Sequence, residues 1–227
     1  VVTGSQIKGA KIDDILPVTV LDEEAIETTG ADSGDELFRA IPQAGTVEFN
    51  DQSSQSNSPN AARGDIASIN LRGLGTGNTL LLINGRRMVL NPGFQTELFV
   101  PVVSSDTNEI APGAVRRLEV LRDGASALYG ADAVAGVVNT ILKDNLDGGF
   151  LRANYAASMG TSLFNSSIRG GYGFDFNEGR SNLTLYGYYY HENGAPTSMR
   201  DYSSSSDLRR FVEGTDFEGD SNFHNRT

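Results

Sequence analysis

The chain has 227 residues, 38% of them hydrophobic, with no Cys and no Trp. Zero Cys excludes disulfides, thiol catalysis and every Cys-based zinc or iron–sulfur site, and His191 and His224 lie too far apart in sequence to suggest a His-rich metal centre. A formal net charge of −11 gives nucleic acid no basic footprint.

The length suits one large domain or two small ones. The acid is concentrated at the front. Residues 1–149 carry 11 Lys/Arg against 20 Asp/Glu, net −9, whereas the remainder carries 7 against 9, net −2. Gly reaches 26 residues, well above a usage of about 7%, and marks a turn-rich chain. Gly and Tyr gather after the Asp147-Gly148-Gly149 stretch, where the texture changes. No run approaches the ~18 apolar residues of a membrane-spanning helix.

In chain order, Val1-Val2-Thr3-Gly4 opens a short β-prone piece followed by a polar linker. Val18 to Leu21 reads as a strand after Pro17. Asp22 suits a helix N-cap, with Glu23 and Glu24 in the first turn where carboxylates meet the positive end of the dipole, and Gly30 is the stop. Ser33 and Glu36 have the S-x-x-E spacing of a capping box, and Leu37, Ala40 and Ile41 place one apolar stripe on the helix that Pro42 ends. Residues 51–63 are polar and aperiodic, a long loop of the kind that is either functional or disordered.

Ser68 to Leu71 is predicted as a strand, and Thr79 to Ile83 as a strand buried on both faces. Asn84-Gly85 is the strongest short hairpin signal, with a return over residues 86–90. Val115 to Leu121 is another strand. A small-residue segment follows at 125–135, then an apolar strand over 136–143. These elements read as a compact α+β domain. Beyond Gly149, three segments of about ten residues alternate with period two, built on Leu151 and Tyr155, on Ile168, Tyr172 and Phe174, and on Leu183, Leu185 and Tyr189. Residues 175–180 form a short link, and 194–227 a long polar stretch. Alternation alone fits an outer-membrane barrel and a soluble sheet with one wet face equally well.

No catalytic motif is complete. Gly73-Leu74-Gly75-Thr76-Gly77 has Asn78 where a dinucleotide fingerprint needs its third glycine, and it precedes a strand instead of a helix. Gly124-Ala125-Ser126 lacks the closing glycine of a nucleophile elbow. Asp216, Glu218 and Asp220 have calcium-like spacing, but Ser221 and Thr227 stand where the turn glycine and the bidentate Glu belong. No enzyme and no cofactor are expected.

Three stretches together resemble the TonB-dependent receptors of Gram-negative outer membranes: Val1-Val2-Thr3-Gly4, Ile69-Asn70-Leu71-Arg72-Gly73-Leu74-Gly75 running on through Ile83-Asn84-Gly85-Arg86-Arg87, and Val115 to Gly130 continuing through Ala135-Gly136-Val137-Val138-Asn139. The resemblance implies an α+β plug domain followed by the opening antiparallel strands of a transmembrane β-barrel, truncated here. Residues 1–10 would be the TonB box and linker, 11–147 the plug, and 148–227 the first barrel strands with an extracellular loop. About three strands fall far short of the smallest closed barrel of ~8, so the chain is expected to be part of a longer protein.

The resemblance also implies roles. Val1, Val2, Thr3 and Gly4 would bind TonB and, through it, an inner-membrane energising complex. Apical loops would meet the ligand, with Asp51, Gln52, Gln55, Asn57, Asn60 and Arg63 as first candidates and Asn91 and Gln95 second. Arg72, Arg122 and Glu119 would anchor plug to barrel, the arginines pairing with wall glutamates outside this sequence. The implied protein is an outer-membrane active transporter, its N-terminus periplasmic and its strands in outer-membrane lipid. Its ligand would be a ferric siderophore, cobalamin, haem, sugar or peptide. A signalling receptor without transport is the alternative within the family, and a soluble β-rich adhesin the alternative outside it.

Overall fold

The computed structural model describes residues 18–48, 66–97, 99–122, 125–177, 179–194, 196–200, 204 and 207–219. The chain divides into two compact units, Val1–Arg152 with Arg169–Tyr188, and Ala153–Ile168 with Tyr189–Thr227.

The first unit begins with β1 (Val18–Leu21), α1 (Glu23–Thr29) and α2 (Gly34–Arg39). Asp22 caps α1 as its residue type predicts, its carboxylate accepting from the Ala25 N–H at 2.9 Å. Gly30 ends α1 in the left-handed region at φ 66°. Ser33 caps α2 by accepting from the Glu36 N–H at 3.4 Å. The return arm of that capping box differs from the pattern: the Glu36 carboxylate accepts from the Asp32 N–H at 2.8 Å, one residue before the cap. Leu37 and Ile41 are buried as the stripe predicts, and Phe38 is buried beside them.

Next come β2 (Ala44–Glu48), β3 (Ser68–Leu71), β4 (Thr79–Ile83) and the two-residue β5 (Arg86–Arg87). A small hairpin, β6 (Gln95–Glu97) and β7 (Val100–Val102), precedes β8 (Val115–Leu121), α3 (Ala125–Tyr129) and β9 (Gly136–Leu142). The main sheet has the order β1-β8-β9-β4-β5. β4 and β9 run parallel, with Leu81 opposite Val138, and the other pairings are antiparallel. β2 and β3 form a separate antiparallel pair.

The pleat explains the hydrophobic run in β4. Leu81 joins one core cluster with Phe38, Ile69, Leu118 and Val138, while Leu80 and Leu82 join a second with Leu121, Val137 and Ala133. Both faces are covered, so consecutive residues are apolar. The Asn84-Gly85 turn has both residues at positive φ, 49° and 77°, as a type I′ hairpin requires. β9 locks this turn: Asn84 Oδ1 accepts from the Leu142 N–H at 3.0 Å, and Asn139 Oδ1 accepts from the Gly85 N–H at 2.9 Å.

Three features were not legible as strands or end differently. β2 and the β6–β7 hairpin carry no period-two apolar pattern. The return strand stops at Arg87, and Val89 and Leu90 are exposed.

The last sheet comprises β10 (Gly148–Ala157), β11 (Phe164–Phe176) and β12 (Ser181–Glu192), in that order. Along β12 the apolar residues Leu183, Leu185 and Tyr189 are exposed, while Asn182, Thr184, Tyr186 and Tyr188 between them are half-buried. Leu151, Tyr155, Ile168 and Tyr172 are exposed likewise. The face a soluble protein would bury is the outer one here, as in a barrel strand bathed by lipid.

In the second unit, Tyr155 stacks on Phe164 at 5.8 Å between ring centroids, and Phe164 meets His191 at 5.9 Å. A single turn, α4 (Arg209–Val212), lies in the polar stretch beyond β12. Among the described residues no His, Asp and Glu group could hold a metal ion. Glu218, one of the residues with calcium-like spacing, accepts from the Gly214 N–H at 2.8 Å.

Candidate functional site

The residues proposed for TonB binding, Val1, Val2, Thr3 and Gly4, lie outside the described residues. So do the first-loop candidates Asp51, Gln52, Gln55, Asn57, Asn60 and Arg63. Asn91 is described and half-buried, its backbone N–H donating to the Ser104 carbonyl at 2.9 Å. Gln95 requires a correction. It sits in β6 with its side chain 2% exposed, so it packs into the domain and does not present itself to a ligand. Exposed apolar residues surround that hairpin instead, with Phe99 at 82% and Leu90 at 57%.

The three anchoring candidates separate. Arg72 follows β3 at φ 57°, and its guanidinium donates to the Ala135 carbonyl at 3.0 Å and, more weakly, to that of Val134 at 3.5 Å. It thereby ties the end of β3 to the entry of β9. Arg122 directly follows β8 and is half-buried. Glu119 lies inside the main sheet at 1% exposure, facing Asn139 on β9 and Val20 on β1. Its carboxylate accepts from Arg117 Nε at 2.7 Å. The in-strand partner explains why a carboxylate is tolerated at that depth.

The structure assembles a different set of charges around α1. Glu23 stands in the first turn of α1, where a carboxylate suits the dipole, and Glu27 lies one turn further on. Glu23 pairs with Lys143 at 2.7 Å, just after β9, and Glu27 pairs with Arg152 of β10 at 2.7 Å. Arg116 pairs with Asp144 at 2.9 Å. These pairs, with Phe150 and Ile26, line a cavity of about 340 Å³. Lys143 also lies over the Phe150 ring at 5.2 Å, and Tyr186 donates to the Lys143 carbonyl at 3.3 Å.

Deeper in the same wall, two strand residues reach the link between α1 and α2. Arg169 of β11 donates to the Ala31 carbonyl at 2.8 Å and stands 3.7 Å from the Asp32 carboxylate. Tyr188 of β12 donates its hydroxyl to the Asp32 carbonyl. The ion pair is well sheltered, with the Arg169 side chain 17% and that of Asp32 5% exposed. Glu23–Lys143 and Glu27–Arg152 each keep a side chain about half exposed, so solvent screens them more. The set is a group of ion pairs and hydrogen bonds that join α1 and the α1–α2 link to the end of β9 and to β10, β11 and β12. Sequence reading missed it because each partner, taken singly, looks like an ordinary surface charge.

A mixed sheet covered by helices, followed by strands with an apolar outer face and tied to them by polar contacts, defines a plug with the first part of its barrel wall. Residues 10–137 match the TonB-dependent Receptor Plug Domain model, and the chain belongs to that family. Among curated relatives it is 39% identical over 95 residues to the ferric enterobactin receptor PirA of Pseudomonas aeruginosa, a match covering 40% of this chain and 12% of that protein. It is 30% identical over 141 residues to the vitamin B12 transporter BtuB of Vibrio vulnificus, covering 62% of this chain and 20% of that protein. The chain thus spans about an eighth to a fifth of the length of these relatives.

Among solved structures, the siderophore receptor PirA of Acinetobacter baumannii superposes with a TM-score of 0.63 at 21% identity, over 87% of this chain and 27% of that one. The ferric enterobactin receptor PfeA of Pseudomonas aeruginosa gives 0.60 at 23% identity, over 81% and 26%. These likenesses establish the fold: a plug domain followed by partial barrel strands.

Proposed function

We propose that the chain is the plug and wall-opening part of a bacterial outer-membrane transporter that takes up its ligand under the pull of TonB. The observation that carries this reading is the plug-family match over residues 10–137, joined directly to three antiparallel strands whose outer face is apolar. Relatives named for ferric enterobactin and for vitamin B12 make a large metal chelate the ligand class of choice.

In this reading residues 1–10 form the TonB box and linker, 11–147 the plug and 148–227 the first strands of the wall. Val1, Val2, Thr3 and Gly4 pair with TonB by strand addition, which needs an extended backbone with free N–H groups. Asp51, Gln52, Gln55, Asn57, Asn60 and Arg63, together with Asn91, face the arriving ligand. Arg72 and Arg122 reach glutamates of the completed wall, where a planar guanidinium fork holds carboxylates better than an ammonium does.

Proline at position 2 removes a backbone donor and fixes φ. In the complete receptor, Val2→Pro is therefore expected to abolish TonB-dependent uptake while leaving ligand binding intact. Ferric enterobactin and cyanocobalamin serve as the two probes. Normal TonB-dependent uptake of a bound probe by Val2→Pro cells refutes the role given to residues 1–4. Binding of a probe with no TonB-dependent uptake by the parent favours a receptor that does not transport.

A further inference from the structure

We propose that Phe99, at the tip of the β6–β7 hairpin, is the plug's contact for an uncharged apolar part of the ligand, an aromatic ring or an alkyl chain. The proposal rests on the receptor reading above and narrows its ligand class. Among large chelates it selects an uncharged one over an anionic ferric catecholate.

The tip combines two costs that a merely structural turn avoids. Glu97 and Val100 are partners across the hairpin, so the turn between them has room for two residues only. Such turns favour Asn and Gly, which accept positive φ. Phe99 stands there at φ 68°, a region that bulky residues seldom enter. It gains no shelter in return, being 82% exposed. Backbone strain and an aromatic ring left in solvent both point outward, to something that binds the ring.

The hairpin is mounted to hold that tip in place. The Glu97 carboxylate accepts from the Thr76 N–H at 3.0 Å, from the Thr76 hydroxyl at 2.8 Å and from the Asn70 amide at 3.4 Å. Two residues earlier on the same strand, Gln95 is buried. At the base, the Asn91 N–H donates to the Ser104 carbonyl. The polar side chains of β6 thus tie the hairpin to the domain, and the ring stands on a fixed support.

The chemistry of this surface names the occupant. From Met88 to Val103 the one charged residue is Glu97, and its carboxylate is spent on Thr76 and Asn70. Val89, Leu90, Val100 and Val103 of the same segment are exposed as well. An anionic chelate calls for Arg or Lys, and this segment has neither. Residues 1–149 carry a net charge of −9, which disfavours an anion further. The completed wall is a poor partner, because barrel interiors are polar. The half-buried face of β12, with Asn182, Thr184, Tyr186 and Tyr188, follows that rule. A ring or chain on the ligand matches the tip where the wall does not.

Three measurements on the complete receptor in the outer membrane test the contact. Phe99→Asn relieves the strain and removes the ring. The temperature at which the plug loses protease protection should hold or rise by about 2–4 °C. A fall would show a ring packed for structure and overturns the proposal. Phe99→p-benzoylphenylalanine, irradiated in living cells grown in rich medium with cyanocobalamin, should give receptor heavier by one small molecule that bears an aromatic or alkyl group. An adduct with lipid, with the receptor's own wall or with another protein overturns the proposal, and so does the absence of any adduct. Ferric enterobactin should bind the parent weakly or not at all, and tight binding overturns the preference for an uncharged ligand. None of these readouts uses TonB, so failure of the transport reading and failure of the tip contact are told apart.

Discussion

At the scale of single residues, the acids are the informative positions, because the same side-chain type does three different jobs. Asp22 is a cap, Asp32 is half of a sheltered pair with the wall, and Glu119 is a buried carboxylate held by Arg117. Glu119 was a candidate for the barrel contact; its 1% exposure and in-strand partner give it a role inside the sheet. Removing its partner should therefore cost stability. Arg117→Ala is expected to destabilise the folded plug by about 1.5–3 kcal/mol, since a charge-assisted hydrogen bond to a buried group is lost. Arg117→Lys should recover part of that. Urea melts of the inserted receptor, read by protease protection of the plug, check both. An Arg117→Ala plug as stable as the parent would mean that Glu119 is held by other groups.

At the scale of elements, two glycines make opposite demands. Gly85 needs conformational freedom: it stands at φ 77° in the turn that β9 clasps through Asn139. Gly85→Val should cost more than about 1 kcal/mol, because a β-branched residue resists that region. Gly34, by contrast, needs empty space. It opens α2 in helical conformation, where propensity alone would favour Ala by about 1 kcal/mol. A Cβ there would fall 1.9 Å from the Thr107 carbonyl oxygen, a backbone atom that cannot swing aside. Overpacking of this kind costs about 1–3 kcal/mol, so Gly34→Ala is expected to be destabilising overall. Thermal denaturation of the two variants decides both points. A stabilised Gly34→Ala variant would show that α2 can move away from the 3-10 turn at Thr107–Glu109.

At the scale of the molecule, the three wall strands leave an apolar outer face and open edges. The 227-residue chain in plain buffer should associate, with detergent micelles suppressing the light scattering. A monodisperse chain in water would argue that the exposed Leu151, Leu183 and Leu185 do not face lipid. The proposed contact of Arg72 and Arg122 with the completed wall is separable from the bonds of Arg169 and Tyr188 to the α1–α2 link. Arg72→Ala with Arg122→Ala in the complete receptor is expected to admit large antibiotics while the barrel stays inserted. Combined with Arg169→Ala and Tyr188→Phe, the effects should add, because distinct contacts act independently. Antibiotic entry by the Arg72/Arg122 variant equal to that of the parent would confine Arg72 to its bond with the Ala135 carbonyl.

The sequence by itself determined what near neighbours decide. The cap at Asp22, the stop at Gly30, the Asn84-Gly85 turn and strands β1, β3, β4 and β8 rest on interactions within a few residues or on a period of two, and they stand where the residues placed them. The ordered plug stretches and the alternating segments after Gly149 were legible for the same reason. Only the tertiary structure decided the rest. β2 becomes a strand because β3 offers it a ladder, and Gln95 is buried because the chain closes over it. The grip on the α1–α2 link joins residues 138 and 156 positions apart. No local pattern marks such a pair, because its stabilisation comes from shelter and charge that exist only once the strands stand against the plug.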